Sequence, residues 1–174
     1  MKKVQSKLYK ISTTLFIVLL LFLILWKTSP VEYKNFILSN ICDDFYEPVF
    51  EGNFKIWKTG PKDTITFKPK YFGDYEFCIV VDGTMKDIAY PEKEIPGVIR
   101  ALITLDGQPI RNQKQYSWQG FIQHQQGKTA YEIFNFHVKQ GTRKVSIHLE
   151  VIKPFSYFKT RKNSHVIIRN NYTL

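Results

Sequence analysis

The sequence contains no acidic residue before Glu32 and no recognisable catalytic signature in its 174 residues. A Ser/His/Asp arrangement, the H-E-x-x-H pair of zinc proteases and a glycine loop that cradles phosphate are all absent. Internal repeats and low-complexity tracts are absent as well. The chain is therefore not expected to be an enzyme, and neither a cofactor nor a metal is predicted. Its length fits one domain of ordinary size plus an anchor.

The net charge of +10 is unevenly distributed. Five lysines, at positions 2, 3, 7, 10 and 27, flank one apolar run, and without them 20 basic residues face 15 acidic ones. The remaining excess of +5 is mild for a domain of this size. The charge does not indicate nucleic-acid binding, and no nucleic-acid partner is predicted.

The apolar run Ile11–Trp26 has 16 residues without a charge. That is slightly short of the roughly 20 residues that cross a bilayer core. Flanking lysines can extend to both interfaces, and Trp26 suits an interfacial position. A cleavable signal peptide is the alternative, but Lys27 and Pro30 surround the expected cleavage point, where small residues are needed. We therefore predict an uncleaved transmembrane anchor.

The lysines before this run place the N-terminus in the cytoplasm by the positive-inside rule. The predicted organisation is a cytoplasmic basic tail over 1–10, a transmembrane signal-anchor over 11–27, a stalk over 28–52 and an extracytoplasmic β domain over 53–174. Helical spacing of apolar residues over 31–42 is compatible with a short stalk helix. The predicted location is a bacterial inner membrane, crossed once, with the domain periplasmic or extracellular.

From Phe54 onward the sequence predicts β-strands, rich in β-branched and aromatic residues and separated by glycine-containing turns. This pattern predicts an antiparallel β-sandwich, either jelly-roll or immunoglobulin-like. Two of the strands, over 75–81 and 98–105, are nearly continuously apolar, as strands covered on both faces are. The predicted strands are Phe54–Lys58, Thr64–Lys68, Tyr75–Val81, Val98–Leu105, Tyr131–Val138, Val145–Ile152 and Val166–Asn170.

The segment 134–151 predicts a β-hairpin around Gly141, because apolar and polar residues alternate on both sides of the turn. On that hairpin His137 and His148 would share the polar face. A metal site would need further converging ligands, so two ordinary exposed histidines are the favoured interpretation.

Cys42 and Cys78 are the only two cysteines, and both follow the apolar run. In an oxidising compartment they predict a disulfide between the stalk and a core strand, which would contribute roughly 3–4 kcal/mol. Two buried thiols are the alternative. The acidic residues over 43–51 lack the regular spacing of a calcium loop and indicate a solvated loop.

The segment 108–128 contains seven glutamines among aromatic and basic residues. Amide side chains beside exposed rings suit a protein partner or a carbohydrate, whereas a polar connection whose aromatics cap the core is the plainer alternative. A second mixed stretch, 153–169, interleaves basic residues with Phe155, Tyr157 and Phe158. It suits anionic lipid or a solvated basic loop. The predicted partner-binding residues are Arg111, Lys114, Gln115, Tyr116, Trp118, Gln119 and Phe121.

Three phrases of the sequence, G-x-Y-x-F-x-I at Gly73–Ile79, I-x-L-D-G-x-x-I at Ile103–Ile110 and F-x-V-x-x-G-T-x-x-V-x-I-x-L at Phe136–Leu149, resemble small bacterial envelope β-sandwich proteins. Some of these accompany toxin secretion systems as membrane-tethered immunity proteins. The resemblance implies a membrane-anchored module that captures one protein partner, such as a toxin. A structural component of an envelope complex and a cell-wall carbohydrate-binding domain stay open as alternatives, as does a small-molecule ligand.

Overall fold

A computed structural model describes residues 2–29, 34, 37, 47–83, 95–110, 114–118, 122–125, 127–161 and 163–171, with backbone alone at 2–11 and 122–125. Within these residues, one long helix, α1, precedes ten strands. The elements are α1 (Lys2–Thr28), β1 (Phe50–Gly52), β2 (Lys62–Phe67), β3 (Gly73–Asp82), β4 (Val98–Leu105), β5 (Gln108–Pro109), β6 (Lys114–Tyr116), β7 (Ile122–Gln125), β8 (Lys128–Val138), β9 (Val145–Lys153), a 3-10 helix (Ser156–Thr160) and β10 (His165–Asn170).

The strands form two antiparallel sheets, which confirms the mainly β prediction and is consistent with a β-sandwich. Sheet A has the order β1-β10-β3-β8-β7, and sheet B has the order β2-β9-β4-β5 with β6 also paired to β4. Alternate residues of both sheets point into a shared core, as the period of two in a strand requires. Stacked rings such as Phe77 on Phe134, with centroids 4.8 Å apart, fill its centre.

The predicted hairpin around Gly141 is wrong. Strand β8 pairs with β3 and β7 in sheet A, whereas β9 pairs with β2 and β4 in sheet B, so the connection 139–144 crosses between the sheets. Backbone N–H groups of Arg143 and Lys144 donate to Asp106 Oδ1 at 3.0 and 2.8 Å and fix this crossing. A hairpin and a crossing between sheets would show the same alternation of apolar and polar residues, because in both arrangements each strand buries one face. His137 and His148 therefore lie on different sheets.

The two continuously apolar strands differ from each other. In β3 almost every residue is buried, and Cys78 and Val80 on its outer face pack with Ala130 and Ile167. In β4 burial alternates, because Arg100 lies on its outer face. The predicted strand Phe54–Lys58 is a turn instead, in which Lys58 N–H donates to Lys55 O at 3.2 Å.

Helix α1 exposes an unbroken apolar stretch, in which Leu15–Leu25 are each between 46% and 72% exposed. Among the described residues, no helix combines the length and the apolarity needed to cross a membrane. The predicted transmembrane segment over 11–27 thus finds no support by this criterion. Of the predicted stalk helix only Lys34 and Ile37 are described, and both are helical.

Candidate functional site

A cleft of about 170 Å³ opens at one end of the sandwich, between the end of β8 in sheet A and strands β4 and β6 in sheet B. The start of β3 and the end of β8 meet here, because Gly73 pairs with Val138 and Asp74 with His137. A cavity of about 150 Å³ holds one benzene-sized ring. The lining residues are Asp74, Ala101, Ile103, Ile110, Tyr116, Asn135, Phe136 and His137.

The apolar wall of the cleft is built around Tyr116. Its ring stacks on Phe134 with centroids 4.5 Å apart, and its strand pairs it with Ile99 of β4. The ammonium group of Lys114 lies 5.4 Å from the centroid of the same ring. Tyr116 therefore presents a fixed aromatic surface to whatever occupies the cleft.

The polar rim of the cleft is the pair His137 and Asp74, whose Nδ1 and Oδ1 atoms are 2.8 Å apart. The two side chains are 51% and 58% exposed, so their attraction adds only about 0–1 kcal/mol to stability. The pair is thus poorly explained as a stabilising contact. It provides a carboxylate and an imidazole that a ligand can reach from solvent.

The lining of the cleft offers both apolar surface and polar groups. Among the described residues it combines two rings, three aliphatic side chains and three polar ones. Apolar walls with a few converging polar groups are typical of recognition sites.

The predicted partner-binding residues are not gathered in one place. Tyr116 lines the cleft and Lys114 borders it, whereas Gln115 lies on the outer face of sheet B, beside its pairing partner Arg100. Trp118 packs on Tyr131, with centroids 6.4 Å apart, and its buried Nε1 has no hydrogen-bond partner among the described residues. Arg111, Gln119 and Phe121 lie outside the described residues, so their role stays a prediction.

Sequence reasoning missed most of the cleft. Asp74 and His137 are 63 residues apart, and only the pairing of β3 with β8 brings them together. The alternation of apolar and polar residues in β8 predicted that His137 is exposed, but it did not predict that Asp74 lies beside it. The prediction that His137 and His148 share one polar face was wrong, because His137 is in sheet A and His148 is in sheet B. There His148 Nδ1 lies 2.9 Å from Thr64 Oγ1.

A second group of polar residues lies on the outer face of sheet A, where Glu76 and Glu132 are buried and Asn135 is exposed. The Glu76 carboxylate, 1% exposed, is ion-paired with the Arg169 guanidinium. Asn135 Nδ2 donates to Glu132 Oε1 at 3.3 Å. Burial, and then the nearby negative charge of Glu76, raise the pKa of Glu132 above its ordinary value. Within the described part of the chain, no group of three or more His, Cys, Asp or Glu residues could hold a metal ion.

Cys78 lies in this buried group as a free cysteine, and burial raises the pKa of its thiol well above the ordinary value. A thiol of this kind is unreactive, because the thiolate is the nucleophile. Cys42 lies outside the described residues, so the disulfide between the two stays a prediction.

The aromatic residues of the basic stretch 153–169 are mostly internal. Phe155 and Phe158 are fully buried in the core. Tyr157 is half-buried, and Arg161 stacks over its ring at 4.6 Å while donating a 2.9 Å hydrogen bond to its hydroxyl. Phe155 and Phe158 are therefore unavailable for stacking on a ligand, and the exposed character of this stretch comes from its lysines.

Comparison with known proteins yields little. No family model and no curated protein matches the chain. Among solved structures, the crystal structure of a protein from Sulfurospirillum deleyianum matches 71% of this chain and 98% of its own, with a TM-score of 0.48 and 12% sequence identity. A likeness at this level carries no argument about function.

Proposed function

We propose that this chain is a membrane-attached binding module that receives one side chain of a protein partner in the cleft beside Tyr116. The observation that carries the proposal is that an aromatic wall and exposed polar side chains meet at one cleft. The cleft is lined by Ile110 and Tyr116 of the glutamine-rich segment, and the exposed His137–Asp74 pair stands at its rim. An aromatic wall beside reachable polar groups is how binding hot spots are built.

The size of the cleft favours a single side chain. Pockets for drug-sized molecules are about 300–1,000 Å³, so the observed 170 Å³ is too small for most of them. The ring of Tyr116 can stack on a flat group, and the carboxylate of Asp74 can accept its hydrogen bonds. Arginine and tyrosine combine a flat group with a donor and are the proposed anchors on the partner.

Membrane attachment is supported by α1. Eleven consecutive large apolar residues, Leu15–Leu25, are exposed around the helix, and soluble proteins rarely expose such a surface. The lysines that precede them favour a cytoplasmic N-terminus, with the domain on the outer side of a bacterial inner membrane. Resistance of the protein to alkaline carbonate extraction would support insertion, and its release would leave only peripheral contact. Protease digestion of spheroplasts would report the side on which the domain lies.

The most specific form of the proposal is an immunity protein whose partner is a toxin. This form depends on the resemblance of three sequence phrases to envelope sandwich proteins. One sugar ring is the second candidate for the cleft, because tyrosine, aspartate, asparagine and histidine side chains are suited to stacking on and hydrogen bonding with a sugar. A role as an assembly component predicts self-association instead.

The test compares two neighbours on β6 that face opposite sides of sheet B. Full-length protein in mild detergent is used to capture its partner, and affinities are measured by interferometry. Tyr116→Ala removes the aromatic wall and should weaken binding by roughly 30-fold, the effect of losing about 2 kcal/mol at a hot spot. Gln115→Ala should change it less than about threefold.

Equal affinities for the two variants would contradict the proposal. Binding of cell-wall glycans that Tyr116→Ala abolishes, without a protein partner, would establish the sugar alternative. Neutralisation of a captured toxin by wild-type protein, but not by Tyr116→Ala, would support the immunity form.

A further inference from the structure

A basic surface lies at the end of the sandwich where β9 ends, opposite the end at which β8 ends. It is formed by two segments, 53–62 and 153–161, which together are called the basic end. Neither segment contains an aspartate or a glutamate. Five lysines of these segments are exposed: Lys55, Lys58, Lys62, Lys153 and Lys159.

The fold joins these two segments, although they are about 100 residues apart in the sequence. Phe155 N–H donates to Ile56 O at 3.0 Å, and Gly60 N–H donates to Val151 O at 3.0 Å. Ile56 and Phe155 are buried in the core, so the lysines that alternate with them are directed outward. The lysines thus form one surface rather than two separate loops.

Two aromatic residues belong to the same surface. Trp57 and Tyr157 are half-buried and pack on the core cluster with part of each side chain in solvent. Lys62 also lies here, with its side chain 73% exposed, and it is ion-paired with Glu150 at 3.4 Å. Tryptophan, tyrosine and lysine are the residues that proteins place at a membrane–water interface.

The register of the strands separates the basic end from the opposite end of the sandwich, called the cleft end, where Asp74 and His137 lie. Tyr116 pairs with Ile99, which pairs with Val151, and so lies between the two ends. Strand β9 begins at Val145, near the cleft, and ends at Lys153 in the basic end. Nine residues of strand span about 30 Å. The exposed lysines at the cleft end, such as Lys139 and Lys144, have the carboxylates of Asp74 and Asp106 in the neighbouring turns. At the basic end, Glu150 is ion-paired with Lys62, and the two segments themselves contain no acidic residue.

We infer that the basic end docks on the anionic phospholipid headgroups of the membrane to which α1 attaches the chain. Clusters of four or more exposed lysines near a membrane bind acidic lipid headgroups. Docking in this way would turn the cleft end, with Asp74 and His137, away from the bilayer. The inference goes beyond the cleft proposal and depends only on its membrane-attachment part.

The experiment measures lysine reactivity at both ends of the same molecule. The full-length chain is reconstituted in nanodiscs of phosphatidylcholine, with or without about one-third phosphatidylglycerol, and pulse-acetylated. Mass spectrometry then follows each lysine. In anionic discs, acetylation of Lys55, Lys58 and Lys153 should slow by about threefold or more, and about 0.5 M salt should restore it. Lys68, Lys139 and Lys144 at the cleft end are the internal control and should not change.

Equal reactivity at the basic end in both kinds of disc would overturn the inference, as would slowing at the cleft end instead. Failure of the chain to enter either disc would contradict membrane attachment itself and is scored separately, by co-purification with the disc. A quadruple variant should remain in the discs, but anionic lipid should no longer change the reactivity of its Lys62. Its substitutions are Lys55→Gln, Lys58→Gln, Lys153→Gln and Lys159→Gln. An unchanged effect in that variant would count against the basic end.

Discussion

The buried ion pair of sheet A offers a sharp test of how this fold tolerates charge. Glu76 is 1% exposed, and the side chain of Arg169 is 11% exposed. Replacement of Arg169 by methionine keeps much of the volume but leaves the Glu76 carboxylate buried without its guanidinium partner. Glu132, on the neighbouring strand, adds a second acidic group to the same face. The variant therefore keeps a buried carboxylate from which the guanidinium has been removed.

The expected loss in the free energy of unfolding is about 3–5 kcal/mol, the usual cost of removing one partner of a buried pair. A domain of this size has about 5–15 kcal/mol in total, so the loss should be easily measured. The double variant Glu76→Leu/Arg169→Met removes both charges. It should lie within about 1 kcal/mol of wild type, or above it, because apolar replacement of a whole pair is often neutral or stabilising.

Urea unfolding of the full-length chain in mild detergent, followed by circular dichroism, gives all the values needed. A loss below about 1 kcal/mol in Arg169→Met, or a double variant as unstable as the single one, would refute the reasoning.

Three further predictions follow from buried groups. The pKa of Glu132 is raised in the folded state, so its protonated form contributes stability below about pH 4.3 that is lost as the pH rises through the folded pKa. The melting temperature of Glu132→Gln, relative to that of wild type, should therefore increase as the pH rises through this range. A constant difference in melting temperature between pH 4 and 8 would contradict this. Gly97→Ala should destabilise the fold by about 1–3 kcal/mol, because a Cβ there would lie 2.2 Å from the Phe155 ring, and Phe155→Leu should partly rescue it in a thermal melt. Native Cys78 should resist iodoacetamide and react only after unfolding in reductant; intact mass without reductant would show whether Cys42 is bonded to it.

The long strands were predictable because each has its own pattern of burial. The structure has strands at six of the seven predicted positions, 64–68, 75–81, 98–105, 131–138, 145–152 and 166–170, although several begin or end differently. The short strands β1, β5, β6 and β7 were missed, since two to four residues carry too little periodicity to detect. The segment over 54–58 has the burial pattern of a strand, but its apolar residues point inward from a turn.

Pairing between strands was the main thing that the sequence did not reveal. The phrase around Gly141 fits a hairpin and a crossing between sheets equally well, because the polar face is exposed in both. The location of the cleft depends on that pairing. Tyr116 could be predicted as a binding residue from the composition of its segment, whereas Asp74 and Asn135 could not be predicted. The long apolar run of β3 correctly predicted a strand buried on both faces. On its outer face, Cys78 and Val80 are buried against Ala130 and Ile167.

The central claim, that the cleft beside Tyr116 receives a protein partner, is tested most directly by photo-cross-linking in living cells. Replacement of Tyr116 by p-benzoylphenylalanine places the reactive group at the cleft, and the same replacement at Gln115 places it on the opposite face of sheet B as the matched control. The account predicts one discrete cross-linked protein from position 116 and none from position 115. No adduct at position 116, or the same adducts from both positions, would contradict it.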